Sequence, residues 1–216
     1  MDIARARELM VESQVRANDV TDTRILHAMR TLPRERFVPA QKRALAYADI
    51  EVEVARGRTL LRPRDLSKLL QALAPQGHER GLEIAGATGY GAAVLAACCS
   101  EVVAQDPDSS LSFAARAALE SSGIVNVKTV STGAAQGWRD GAPYDVIMLN
   151  GAAEIVPEAW FTQMAPGGRL AVIERQGAAG AARIYTRGED KAAYRSVFDA
   201  SPPLAPGLER PPAFSF

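Results

Sequence analysis

Cysteine is nearly absent from this chain: Cys98 and Cys99 are the only two, and they are neighbours. Adjacent cysteines cannot staple distant segments, which excludes a disulfide-held scaffold; two small apolar residues on a helix is the plain reading. Histidine is equally scarce, with His27 and His78 alone, and no metal site with ligand spacing can be drawn. His27 reads as structural within an apolar-periodic helix and His78 as a solvated loop residue. Neither sign of charge dominates: 25 Lys plus Arg face 25 Asp plus Glu. That balance supplies no field to attract nucleic acid or an anionic membrane, and neither partner is expected. No apolar run approaches a membrane span. The opening MDIARARELM lacks the apolar stretch of a secretory leader, so the cytoplasm is the expected compartment. No G-x-S-x-G elbow occurs, and Ser109, Ser110 and Ser112 have no histidine nearby in sequence, which argues against hydrolase chemistry.

What is abundant is apolar residues, 47% of 216, enough for one domain over 1–216 with a sizeable core. Residues 2–17 read as a helix. Thr21-Asp22 looks like the start of a second, DTRILHAMRTL, which Pro33 stops. The first 65 residues thus look like a helical, irregular cap rather than a sheet. Leu66, Leu69, Leu70 and Leu73 then stand at i, i+3, i+4 and i+7, a buried helix stripe. From there the pattern alternates. LEIA (82–85), EVVA (101–104), VKTV (127–130), YDVIML (144–149) and RLAVI (169–173) read as strands. YGAAVLAACC, SLSFAARAALES and VPEAWFTQMA read as the helices between or after them. Strand–helix repetition over 66–175 predicts a doubly wound, mostly parallel α/β sheet covered on both faces. The tail, 176–216, offers AARIYTRGE, AYRSVFDA and PPAFSF as antiparallel edge strands.

The most informative segment is GLEIAGATGYGAAVLA. A strand ends near Ala85, a turn carries Gly86, Gly89 and Gly91, and a helix begins near Tyr90. Such a turn, at the carboxyl edge of a parallel sheet, is where doubly wound folds bind ligands. Asp106 ends the next strand, where a carboxylate can accept hydrogen bonds from both ribose hydroxyls of an adenosine. A plain tight turn followed by a helix-start Asp is the alternative. The spacing G-x-x-G-x-G is not the dinucleotide G-x-G-x-x-G, which weakens a nicotinamide reading.

Taken together, ILHAMRTLPRERFVP followed by AYADI, the strand LEI with Gly89-Tyr90 and AAVLA, and the stretch GAPYDVIMLNGAAEIVPEAWFTQMAPGGRLAVIE resemble the protein-L-isoaspartate O-methyltransferases. The resemblance covers residues 1 to about 175. It implies a Rossmann-like methyltransferase fold with an N-terminal helical cap. It implies S-adenosylmethionine as cofactor and an isoaspartyl peptide or protein as partner, methylated on its carboxylate in protein repair. It places the acceptor side at Thr59 and Leu61. It places the cofactor surface at Glu83, Ala85, Gly86, Ala87, Gly89, Tyr90, Asp106 and Gly133, with no metal.

Three places depart from the family pattern. In the substrate loop Gly-x-x-Ile-Ser-x-Pro, Leu61 stands where serine is expected. The acceptor carboxylate is itself the nucleophile, so catalysis is mostly positioning. Loss of one hydrogen bond to a charged group costs about 1.5–3 kcal/mol, roughly ten- to hundredfold in rate. In the cofactor turn Glu-x-Gly-x-Gly-x-Gly-Tyr, Ala85 and Ala87 replace two glycines. A positive φ at Ala87 would carry strain, unless Gly86 relaxes the turn. In the loop after VKTV, Thr132-Gly133-Ala134 replaces Gly-Asp-Gly, which removes the acid expected at the adenine amino group. Ordinary repair, weakened repair, another acceptor and a non-catalytic binding role all stay open on these residues. Arg56, Arg58, Arg62 and Arg64 crowd the substrate loop, either as a solvated charged loop or as an anion site. Asn150 ends the fourth core strand, at the edge where an acceptor would lie.

Overall fold

The computed structural model describes residues 2–188 and 192–211. Its centre is a seven-stranded sheet in the order β5-β4-β3-β6-β7-β8-β9. β3 (Arg80–Ile84), β4 (Glu101–Asp106), β5 (Val127–Ser131), β6 (Tyr144–Ala153) and β7 (Met164–Gln176) run parallel. β8 (Ala179–Arg187) and β9 (Ala192–Asp199) close one edge antiparallel. The expected α/β architecture is therefore the observed one, with the LEIA strand flanked on both sides. Of the proposed tail strands, two are present and PPAFSF lies almost wholly outside the described residues.

Helices cover both faces because the strands are apolar on both. Leu82 and Ile84 point to one cluster, with Ile147, Leu149, Leu170, Val172 and Trp160. Val146, Met148, Ala171 and Ile173 point to the other. There they meet α3 (Pro63–Leu73) and α4 (Tyr90–Ala96). α5 (Ser109–Ser121) lies on that side too, and α6 (Glu158–Thr162) brings Trp160 to the opposite one. The four leucines of the α3 stripe are all buried. Pro63 begins that helix, where no N–H is needed. Its last carbonyls, those of Leu73 and Ala74, accept from Arg169, which also pairs with Glu79.

The N-terminal segment carries α1 (Ile3–Met10), continued by a wider turn over Val11–Val15, and α2 (Thr23–Thr31), capped by Asp22. One expectation needs correction here. Residues 1–65 are not purely helical, since β1 (Val52–Ala55) and β2 (Arg58–Leu60) form a separate antiparallel hairpin. The pair is too short, and too rich in charge, to show strand periodicity. His27 is exposed on α2 rather than packed, whereas His78 is exposed as expected. Cys98 and Cys99 are free and buried, and burial pushes their thiols up to about 11 and about 12.

Candidate cofactor and acceptor site

The turn between β3 and α4 keeps a glycine-type backbone without the glycines. Ala85 has φ +53° and Ala87 φ +51°, the left-handed region that a Cβ disfavours by roughly 1–2 kcal/mol per residue. Gly86 does not relax the turn, because positive φ stays on the two alanines flanking it. Its role is spatial. A Cβ on Gly86 would lie 2.6 Å from Oε2 of Glu83, and one on Gly91 would collide with Oε1. Glu83 is fully buried beneath the start of α4. Its Oε2 accepts from the Ala92 N–H at 2.8 Å, while Oε1 has no partner. Burial, opposed in part by the Ala92 N–H bond, raises its pKa from 4.5 to about 8, so the group is mostly neutral at pH 7.

The turn alanines yield a first expectation. Returning Ala85 and Ala87 to glycine removes the left-handed penalty, offset by about 0.5–1 kcal/mol of glycine backbone entropy per site. The pair should raise stability by roughly 1 kcal/mol, the net of those two terms. Chemical denaturation reads this directly; an unchanged or lower midpoint would show that the turn carries no strain.

Asp106 ends β4 beside this turn, 2% exposed. Its carboxylate is saturated. Oδ1 accepts from Arg58 Nη1 at 2.8 Å and from the Asp108 N–H at 2.9 Å; Oδ2 accepts from Arg58 Nη2 and from the Ala87 N–H at 2.7 Å. A carboxylate has about four lone-pair positions, and all four are used. The helix cap of α5 is Asp108 rather than Asp106. The second Arg58 donor also reaches the Ala85 carbonyl at 3.0 Å.

Asn150 fastens the same hairpin to the turn. Its Nδ2 donates to the carbonyls of Thr59 (2.9 Å) and Ala85 (3.1 Å), and its Oδ1 accepts from the Leu61 N–H at 3.3 Å. Leu61 is packed in the core and Thr59 is half-buried. The Leu61 carbonyl accepts from Arg34 Nη2 at 2.8 Å. Arg34 is fully buried with no acid partner, its guanidinium 4.5 Å over the Tyr90 ring, and burial pushes its pKa down. Tyr90 also meets Phe37 edge-on at 5.5 Å. Gly89, φ +85°, begins α4, where a Cβ would approach that of Ala115 at 3.1 Å.

Gly133 is exposed at the start of a short 3₁₀ turn over Ala134–Gln136. Fully buried Gln105 links that loop to the cofactor turn: its side chain donates to the Thr132 carbonyl and accepts from the Ala85 N–H at 3.2 Å. Sequence reading missed Gln105 and Arg34. A glutamine inside the apolar run EVVAQD is a usable signal, since a buried amide needs partners. Arg34 offered none, because nothing local distinguishes it from Arg36.

Among the loop arginines, the anion-site reading is not supported by the packing. Arg58 is spent on Asp106, Arg62 pairs with Glu51 and Asp65, and Arg64 pairs with Asp65. Only Arg56 is exposed. Among the described residues no group of three His, Cys, Asp or Glu is placed to hold a metal, and no helix is long and apolar enough to cross a membrane.

A doubly wound sheet with its ligand turn after β3, an acid ending β4 and an antiparallel edge is the architecture of the S-adenosylmethionine-dependent methyltransferases. Within that class, the chain belongs to the protein-L-isoaspartate(D-aspartate) O-methyltransferase family, whose model matches residues 5–198. It is similar to protein-L-isoaspartate O-methyltransferase 1 of Rhodopseudomonas palustris, at 41% identity over 77% of this chain and 68% of that one. It is 38% identical to the protein-L-isoaspartate O-methyltransferase of Methylorubrum populi over 88% of this chain and 89% of that one. A solved protein-L-isoaspartate O-methyltransferase superposes with TM-score 0.82 at 26% identity, over 94% of this chain and 66% of the other. A Plasmodium falciparum protein, solved in complex with S-adenosyl-L-homocysteine, shares the fold at TM-score 0.78 and 16% identity over 92% of this chain and 97% of that one.

Proposed function

We propose that the protein carries out its family's reaction, methyl transfer from S-adenosylmethionine to an isoaspartyl carboxylate of a damaged protein, at a reduced rate. The observation that carries this reading is the turn backbone: Ala85 and Ala87 hold the left-handed conformation of a ligand-binding glycine turn despite their Cβ atoms. Ala85, Gly86, Ala87, Gly89 and Tyr90 form the wall against the methionine end, with Glu83 supporting them from below. Asp106 faces the ribose, Gly133 borders the adenine, and Thr59 and Leu61 border the acceptor. One domain in the cytoplasm is the setting, with two free cysteines in keeping with a reducing compartment. In the present conformation the Asp106 carboxylate is fully occupied, so a ribose hydroxyl can bind it only where one of those donors gives way.

A radiolabelled methyl assay on an isoaspartyl peptide tests the reading. Against a serine-bearing relative, turnover should be lower by roughly ten- to hundredfold, from the absent serine hydroxyl alone. Turnover equal to the relative's would reject the weakening. Absence of both turnover and S-adenosylhomocysteine binding would favour the second reading, a non-catalytic binding protein on the same fold, which the filled Asp106 supports.

A further inference from the structure

We infer that Arg58 is an internal occupant of the cofactor's ribose position, so that the β1–β2 hairpin has to release Asp106 before an adenosine ligand can enter. The inference rests on the cofactor reading above and concerns how that site is governed. Arg58 comes from a two-stranded hairpin separate from the main sheet, 48 residues from Asp106 in sequence. Its planar fork matches both carboxylate oxygens, as a vicinal diol would, and supplies charge that a diol lacks. The same guanidinium holds the Ala85 carbonyl of the turn. The pair is buried on both sides, Arg58 at 7% and Asp106 at 2% exposure, so water does little to weaken it.

Competition for one carboxylate has a direct thermodynamic form. If a cofactor-competent conformation is a minor fraction of the whole, apparent affinity falls by that fraction, and a change that empties the competing state restores it. Arg58→Ala and Arg58→Met both vacate the carboxylate; the methionine keeps an unbranched stem in the apolar packing. An arginine that merely supported the site would behave oppositely, since its removal would disorder Asp106 and weaken binding.

The experiment is calorimetric titration of the full chain with S-adenosylhomocysteine, alongside thermal melting with and without the ligand. Arg58→Ala and Arg58→Met should bind at least tenfold more tightly than the unmodified protein. Both variants should melt lower when ligand-free and gain more from saturating ligand. In the unmodified protein, ligand should accelerate amide exchange in residues 52–60 as the hairpin lifts. Equal or weaker binding by both variants, with measurable binding by the parent, overturns the proposal while leaving the cofactor reading in place. No binding by parent or by folded variants overturns both. Tighter binding by Arg58→Met alone, with Arg58→Ala unfolded, still supports the proposal.

Discussion

Asp106→Ala is expected to destabilise the protein by about 3–5 kcal/mol, the usual cost of breaking a buried ion pair from one side. The substitution leaves the Arg58 guanidinium buried without a counter-charge, and it strands the N–H groups of Ala87 and Asp108. For a chain of this size the melting temperature should fall by roughly 6–20 °C, at about 2–4 °C per kcal/mol. A double-mutant cycle with Arg58→Met separates the pair from its surroundings. Combining Arg58→Met with Asp106→Leu should recover much of the loss, because an apolar pair of similar volume removes both desolvated charges. A drop below about 1 kcal/mol for Asp106→Ala would show that the pair is solvated, and would remove the basis for treating Arg58 as a competitor.

The second large effect is a pH dependence traceable to Glu83. Its pKa in the folded protein, raised to about 8, lies above that of the unfolded chain. The folded state therefore keeps a proton that the unfolded state releases as pH climbs past about 4.5. Stability from this group is fully present below that pH, declines as pH rises, and is lost once pH passes about 8. The slope is at most about 1.4 kcal/mol per pH unit, for a total on the order of 4–5 kcal/mol. Glu83→Gln stays neutral throughout and can still accept from the Ala92 N–H. Urea denaturation at pH 5, 7 and 9 should show a flatter profile for the glutamine variant, which should be the more stable protein at pH 9. Parallel profiles would mean that the carboxyl is ionised in the fold at neutral pH, contrary to its burial.

Both effects sit in a site that the sequence makes only half legible. Ala85, Ala87 and Leu61 are visible in the sequence as departures from a family pattern. The family pattern points to strain at Ala87, and Ala85 carries the same positive φ. Gly86 does not relax the turn as its sequence position suggests; its glycine answers to the Glu83 carboxyl, a contact across three residues and a change of direction. The strand pattern puts Asp106 at the end of β4, where it lies, but carries no sign of Arg58 as its partner.

Local pattern specifies the strands, the helix stripe at Leu66, Leu69, Leu70 and Leu73, the turn after β3 and the family. These depend on periodicity and on residues near one another along the chain, where side-chain direction follows from position. What fills the space between distant segments depends on the closed fold alone. Arg58 and Asp106 are 48 residues apart, Asn150 and Thr59 are 91 apart, and Arg34 and Leu61 are 27 apart. A charged residue in a short loop reads the same whether it meets water or a buried carboxylate, because no local pattern encodes its partner. The low dielectric that strengthens the Arg58–Asp106 attraction, and the desolvation that holds the Glu83 proton, exist only once the chain has closed around them.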